Sequence, residues 1–174
     1  MTNGEDYMSS GEVGLEAQDV ADIKTELDEM WPDLHGNNFY FWDMEWRKHG
    51  HGFRFSNPTS YFELAIHCKR KLDDIIGRDL VEYLRQKGIG PTATADYDNQ
   101  LFPRKINREI HFTVAIKCNT AANGNSQLLE IRICFTATGD LDDCKNNVGD
   151  KKYIARDCNS RIIFPAQRER RDEL

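Results

Sequence analysis

Residues 41–50, with the sequence FWDMEWRKHG, bring together three side chains that suit phosphodiester chemistry. Glu45, Lys48 and His49 are spaced i, i+3 and i+4, so a helix would carry them on one face. Cleavage of a phosphodiester by a neighbouring hydroxyl group needs a base, an acid, and a cation beside the negative phosphorus centre. An imidazole suits proton transfer because its ordinary pKa lies close to neutral pH. The same residue types also occur on many solvated helix faces, so the spacing alone leaves both interpretations open.

The elements that must position this segment are helices in the first two-thirds of the chain. Apolar periodicity and capping pairs predict them over residues 19–30, about 61–75, about 79–87 and near 104–110. Ser60 with Glu63, and Asp79 with Glu82, have the spacing of a capping box, and Gly88 is a suitable helix stop.

Strands are predicted in the last third of the chain. Apolar and polar residues alternate over 111–118 and 128–136, and Asn123-Gly124 between them favours a hairpin turn. Shorter strands are predicted at 152–155 and 161–164. Because helices come first and strands follow, the pattern predicts an α+β fold with an antiparallel sheet flanked by helices.

Composition indicates a globular domain with charged ends. The 174 residues carry a net charge of −6, but residues 1–35 alone carry −9 and residues 36–174 carry +3. We expect 1–18 to be a disordered acidic leader, 19–165 one domain, and 166–174 a charged tail ending in RDEL. No apolar run is long enough to span a membrane, and the first residues lack the pattern of a secretory signal peptide.

The whole string around the three side chains resembles the second active-site block of the ribonuclease T2 family, usually written F-W-x-H-E-W-x-K-H-G-T-C. Further similar stretches follow in order over 19–165, which corresponds to the C-terminal two-thirds of the family pattern. These stretches are Trp31-Pro32-Asp33-Leu34, Tyr61-Phe62-Glu63-Leu64-Ala65, Gly88-Ile89-Gly90-Pro91, Leu129-Glu130-Ile131 with Ile133-Cys134-Phe135, and Ile163-Phe164-Pro165.

The resemblance implies a role for each residue of the segment. His49 is similar to the catalytic histidine of the block, and Glu45 and Lys48 are similar to the pair that binds and stabilises the phosphate. Phe41 is similar to an aromatic residue that stacks on a base. Trp42 is expected in the core, and so is Trp46, which would lock the helix that carries His49.

The chain also departs from the family pattern. The first active-site block, which carries a second catalytic histidine, has no counterpart here, so the resemblance implies a fold truncated at its N-terminus. Met44 stands where the second block has its first histidine, and His51-Gly52 stands where it has Thr-Cys. One imidazole cannot easily carry out both proton transfers, so we expect this chain to be weakly active or inactive.

The resemblance also shapes the expected disulfides. The usual partner of the family cysteine that Cys118 resembles is absent, so we expect at most two disulfides, with Cys68 and Cys118 as thiols. Cys144–Cys158 is the preferred pair, and Cys134–Cys158 remains the alternative.

The function implied by the resemblance is metal-independent cleavage of single-stranded RNA through a 2′,3′-cyclic phosphate, without a cofactor. The alternative is a non-catalytic relative that serves as a storage, lectin or RNA-binding protein. A metal site built from His35, His49, His51 and His67 is a third hypothesis, but these residues complete no recognisable ligand set. The family resemblance implies the secretory pathway or an extracellular location, and the RDEL ending suggests retention in the endoplasmic reticulum.

Overall fold

The computed structural model of the chain describes residues 14–33, 36–51, 55–92, 96–144 and 155–166. The chain divides into two compact units, Met1–Lys69 (unit 1) and Arg70–Leu174 (unit 2). Most of the predicted acidic leader and almost all of the charged tail lie outside the described residues. The prediction of one domain over 19–165 stays a prediction.

Unit 1 is built from helices. They are a 3₁₀ helix at Ala17–Ile23, α1 at Lys24–Met30, α2 at Asn38–Glu45, a π-helical turn at Trp46–Gly50, and the first part of α3, which spans Pro58–Ile76. The helix predicted over 19–30 is therefore a 3₁₀ helix followed by an α-helix. Ordered structure also begins before residue 19, because Leu15 is buried.

The core of unit 1 is rich in aromatic residues, which contribute a large buried area for each side chain. Its buried members are Leu15, Val20, Leu27, Trp42, Trp46, Phe62 and Ile66. α3 begins at Pro58, a first-turn position where the missing N–H of proline costs nothing. The backbone N–H of Ser60 donates to Oδ1 of Asn57 over 2.9 Å. Asn57 therefore caps this helix, and the prediction that Ser60 caps it was wrong by one turn.

The remaining described helices belong to unit 2. α4 spans Leu80–Gln86 and α5 spans Leu101–Ile110. The Asp79 carboxylate accepts from two backbone N–H groups at the start of α4, at 2.9 and 3.0 Å, as the sequence predicted. Gly88 follows α4 with φ +80°, the left-handed conformation in which glycine avoids the strain of a Cβ. In the described parts of the chain, no helix combines the length and the apolar character needed to cross a bilayer.

A five-stranded sheet forms the rest of unit 2, together with a two-stranded hairpin. The strands of the sheet, in spatial order, are β1 (Asp96–Asp98), β7 (Arg161–Ile163), β3 (Ser126–Arg132), β2 (Ala115–Thr120) and β6 (Ala155–Arg156). β4 (Cys134–Phe135) and β5 (Leu141–Asp142) form the hairpin.

The α+β class is confirmed, but the sheet is mixed and not purely antiparallel. β2 and β3 pair antiparallel, as do β1 and β7, whereas β2 with β6 and β3 with β7 pair parallel. The predicted turn between β2 and β3 is present, with Gly124 at φ +82°. The strand predicted over 111–118 begins only at Ala115 and runs to Thr120. One reason is that the side chain of Asn107 accepts from the N–H of Val114 over 2.9 Å, which fixes the approach to the strand.

The disulfide prediction was wrong about Cys118 as a thiol and about both candidate pairs, Cys144–Cys158 and Cys134–Cys158. Cys118 is bonded to Cys158, with their Cα atoms 4.9 Å apart, and Cys134 is bonded to Cys144, with a Cα separation of 5.1 Å. β6 runs parallel to β2 and ends two residues before Cys158, which brings that cysteine beside Cys118. The β4–β5 hairpin brings the other pair together in the same way. Cys68 belongs to neither bond and is half-buried.

Candidate active site

The segment predicted to carry chemistry forms α2 and the π-helical turn that follows it. Oδ1 of Asn37 accepts from the N–H of Tyr40 over 3.2 Å and caps the start of α2. At Trp46 the helix widens, and the N–H of His51 closes the turn by donating to the carbonyl oxygen of Trp46 over 2.8 Å. A π-helical turn holds one residue more than an α-helical turn, and such turns are frequent at functional sites.

Two tryptophans anchor this segment in the core of unit 1, as the sequence predicted for both. Trp42 is fully buried, and its indole N–H donates to the carbonyl oxygen of Trp31 over 2.9 Å. Trp46, the first residue of the π-helical turn, is only 3% exposed. Both indole rings point inward, and of the polar residues in this segment Lys48 and His49 are the ones left exposed to solvent.

Gly50 closes the π-helical turn directly against the ring of Trp46. A Cβ atom built on Gly50 would overlap two atoms of the indole ring and lie 3.1 Å from a third. The turn therefore requires glycine here because of close packing, which is a different reason from a positive φ. This contact gives a physical role to the glycine that ends the K-H-G part of the motif.

The three residues predicted to do chemistry lie at the end of α2 and in the turn. Glu45 is the last residue of α2 and is half-buried, whereas Lys48 and His49 are exposed in the π-helical turn. The placement of all three on one concave surface stays a prediction. Phe41, the predicted base-stacking residue, is half-buried and meets Trp31 edge-to-face at a centroid distance of 6.0 Å. Part of its ring is therefore engaged in the core.

Tyr61 is a neighbour of this site that the sequence patterns did not identify as part of it. Its ring packs against those of Trp31, Trp46, Phe55 and Phe62, at centroid distances of 4.9–6.3 Å. Burial, and then the negative charge of Glu45, raise the pKa of Tyr61 to about 12. The tyrosine hydroxyl is therefore neutral near neutral pH, and the charge of Glu45 lies close enough to affect it.

An ion pair joins α2 to the π-helical turn. Nε of Arg47 donates to Oδ2 of Asp43 over 2.9 Å, and Oδ1 of Asp43 accepts from the backbone N–H of Leu15 over 2.8 Å. Both charged side chains are mostly buried, at 33% and 20% exposure. Opposite charges four residues apart are a recognisable helical signal, but the link to Leu15 is not visible in the sequence.

Met44 and His51 are the motif residues that differ from the family pattern. Met44, at the position of a family histidine, is half-buried, and His51 meets the ring of Trp46 edge-to-face at 6.0 Å. Within the described residues, no three His, Cys, Asp or Glu side chains are grouped as metal ligands would be. His35, one member of the hypothetical metal site, lies outside the described residues.

Comparison with known proteins supports the resemblance seen in the motif. The sequence model of the ribonuclease T2 family matches residues 4–144. Extracellular ribonuclease LE of Solanum lycopersicum is 30% identical over 152 residues, which are 84% of this chain and 60% of that protein. The ribonuclease-like storage protein of Panax ginseng is 30% identical over 128 residues, 69% of this chain and 49% of that protein.

The fold comparison agrees. The solved structure of RNase NT in complex with 5′-AMP matches with a TM-score of 0.70 and 26% identity, and the match covers 88% of this chain and 72% of that one. The chain spans about 60% of the length of the first curated relatives that it matches. The family match, the mixed helix-and-sheet fold and the preserved E-W-x-K-H-G segment lead to one conclusion: the chain belongs to the ribonuclease T2 family.

Proposed function

We propose that this chain acts on single-stranded RNA, cleaving it by transesterification through a 2′,3′-cyclic phosphate with no cofactor. The observation that carries the proposal is the π-helical turn, which exposes Lys48 and His49 while Trp46 holds the turn in the core. Lys48 offers a positive charge to a phosphate, and His49 offers an imidazole for proton transfer. RNase NT, a relative by fold and sequence, was solved with a bound nucleotide, 5′-AMP.

Each residue of the site then has a chemical task. His49 takes the proton of the 2′-hydroxyl group or supplies one to the leaving 5′-oxygen. Lys48 stabilises the negative charge that develops on the phosphate, and Glu45 orients the Lys48 ammonium group or a water molecule by accepting hydrogen bonds. The exposed part of the Phe41 ring stacks on a base, a contact that tolerates many sequences.

The proposed activity is slow compared with that of relatives that have two positioned histidines. Met44 has no group that can hydrogen-bond to a phosphate oxygen, where the family motif has histidine. Loss of one positioned acid or base typically lowers a rate by about 10²–10⁴-fold. A substitution of Met44→His should therefore raise the rate, because it restores a donor one residue before Glu45.

A second candidate function is storage or RNA binding without catalysis. Two observations favour it: Met44 at the position of a family histidine, and the 30% identity to a ribonuclease-like storage protein. In this case the exposed Lys48 and the +3 charge of residues 36–174 would still support salt-sensitive binding of RNA.

The deciding experiment is cleavage of a single-stranded RNA near pH 5, with analysis of the new ends. The assay compares four proteins, each with and without a chelator: the parent chain, His49→Ala, Met44→His and the control His67→Ala. His67 is exposed on α3 and has no part in the proposed chemistry. We expect cyclic-phosphate ends, no effect of the chelator or of His67→Ala, and loss of cleavage in His49→Ala. Cleavage that survives His49→Ala would refute the assignment, and RNA binding without cleavage would favour the second candidate.

The proposed location is the secretory pathway or the extracellular space. The extracellular ribonuclease LE among the relatives supports it. The RDEL ending, which lies outside the described residues, would add retention in the endoplasmic reticulum. Fusion of residues 166–174 to a secreted reporter tests that part: retention supports it, and free secretion contradicts it.

A further inference from the structure

The carboxylate of Asp43 makes two strong contacts that the proposed chemistry does not use. One oxygen accepts from the backbone N–H of Leu15, a residue of the unit 1 core, and the other accepts from Nε of Arg47. Asp43 lies in α2, whereas Arg47 lies inside the π-helical turn, directly before Lys48 and His49. We call this arrangement the latch: Asp43, Arg47 and the backbone N–H of Leu15.

The latch is closely packed as well as hydrogen-bonded. A Cβ atom built on Gly14 would overlap the Arg47 guanidinium group and lie 3.4 Å from Oδ1 of Asp43. The segment before the first helix therefore lies directly over the ion pair. Because the two charged side chains are mostly buried, water screens their attraction less than that of a pair on an open surface.

The latch lies where the helical hydrogen-bond pattern changes. At that point the chain leaves α2 and enters a turn closed by the N–H of His51, and wide turns of this kind are uncommon. Two residues hold the inner side of this turn: Trp46, whose ring lies in the core, and Gly50, whose backbone packs against that ring. Arg47 is the residue of the turn whose charged group is tied back to α2.

We propose that Asp43 and Arg47 are positioning residues, which fix the π-helical turn so that Lys48 and His49 share one phosphate. This inference rests on the proposed function, since it assigns the two residues to the same site. Neither residue touches the substrate. They act through the backbone of the turn, by tying it to α2 and, through Asp43, to the backbone of Leu15.

The test uses side-chain changes that affect one contact each. Asp43→Asn keeps an oxygen for the N–H of Leu15 but removes the charge that holds Arg47. Arg47→Met keeps most of the alkyl chain and removes the charge, and Arg47→Lys keeps the charge. Gly14→Ala displaces the guanidinium group without altering either charged residue.

The matched control is another carboxylate–cation pair at i, i+4 among the described residues of unit 1. Nζ of Lys24 contacts Oδ2 of Asp28 at 2.5 Å and also lies 5.9 Å from the centre of the Trp42 ring. Lys24→Met therefore removes a helical ion pair that packs on α2 and not on the Asp43–Arg47 pair.

Two readouts report on position without requiring catalysis. One is the NMR signal of the His49 imidazole, assigned with His49→Ala, and the other is the affinity for inorganic phosphate measured by titration. We expect Asp43→Asn, Arg47→Met and Gly14→Ala each to shift or broaden the His49 signal and to weaken phosphate binding about 3–10-fold. The double variant Asp43→Asn with Arg47→Met should be no worse than either single variant, since both remove the same contact. Arg47→Lys should restore part of the affinity, and Lys24→Met should change neither readout.

The inference is overturned if Asp43→Asn and Arg47→Met lower the melting temperature but leave the His49 signal and phosphate affinity as in the parent. It is equally overturned if Lys24→Met has the same effect on both readouts, because the response would then be general destabilisation. Failure of the proposed function gives a different result. In that case RNA cleavage does not depend on His49, while the His49 signal still reports whether the latch positions the turn.

Discussion

Replacing Gly50 by alanine tests the packing on which the candidate site depends. The added methyl group would overlap two atoms of the Trp46 ring, and Trp46 is only 3% exposed, so the ring has little room to move away. Adding a methylene-sized group to a well-packed core typically costs about 1–3 kcal/mol. At roughly 2–4 °C per kcal/mol for a chain of this size, we expect the melting temperature to fall by about 2–12 °C.

Gly90→Ala is the matched control for this substitution. A Cβ atom on Gly90 would meet only Cγ of Arg85, at 3.5 Å, which is an ordinary van der Waals contact. Neither Gly50 nor Gly90 has a positive φ, so backbone strain does not separate the two substitutions. We expect Gly90→Ala to change the free energy of unfolding by less than about 0.5 kcal/mol.

The assay is thermal and chemical unfolding followed by circular dichroism, with tryptophan fluorescence as a local probe of Trp46. Gly50→Ala should shift the emission of the folded protein as well as destabilise it, since the clash is with an indole ring. If the two alanine variants were equally stable and had the parent's emission, Gly50 would not be packed against Trp46. The stated reason for glycine at the end of the motif would then be wrong.

Four further predictions follow from other contacts. Glu45→Gln should lower the pKa of Tyr61 from about 12, because one of the two causes that raise it is the Glu45 charge; difference absorbance of tyrosinate measures this. Because that pKa is above the ordinary value of 10.0, the neutral Tyr61 side chain contributes free energy of unfolding that is complete below about pH 10. This contribution is lost as pH rises through about 12, and unfolding measured at pH 9 to 12 checks it. Thiol titration of the unfolded, unreduced chain should find one thiol per chain, because two disulfides hold four of the five cysteines; two or more would contradict the pairing. Trp42→Phe should cost about 1–3 kcal/mol in urea unfolding, because the carbonyl oxygen of Trp31 loses its buried donor; a neutral result would show that water replaces it.

Sequence patterns predicted the helical elements well where the signal was local. The cap at Asp79, the start of α4 and the glycine that follows it depend on residues within a few positions of each other. The burial of Trp42 and Trp46 was also predictable, because large aromatic residues between polar ones have few places other than a core. The cap of α3 was misplaced since Asn57 is followed by proline, and Ser60 has the better-known pattern.

What the sequence could not show depends on pairing between distant residues. The parallel pairing of β2 with β6 is set by tertiary structure, and it is this pairing that joins Cys118 to Cys158 across 40 residues. The family pattern suggested that Cys118 had lost its partner, which was wrong. The link between Asp43 and Leu15 spans 28 residues and likewise leaves no trace in local periodicity.

The change from α-helix to π-helical turn alters how the residues of the family motif are arranged around the helix axis. In a continuous α-helix of 3.6 residues per turn, positions 44 and 49 would lie about 140° apart around the axis. A turn closed five residues on, as between Trp46 and His51, rotates less for each residue and brings the two positions closer to one face. We therefore expect side chains at positions 44 and 49 to approach one phosphate, although i, i+5 spacing in an α-helix would separate them. This expectation is why Met44→His is the substitution proposed to raise the rate.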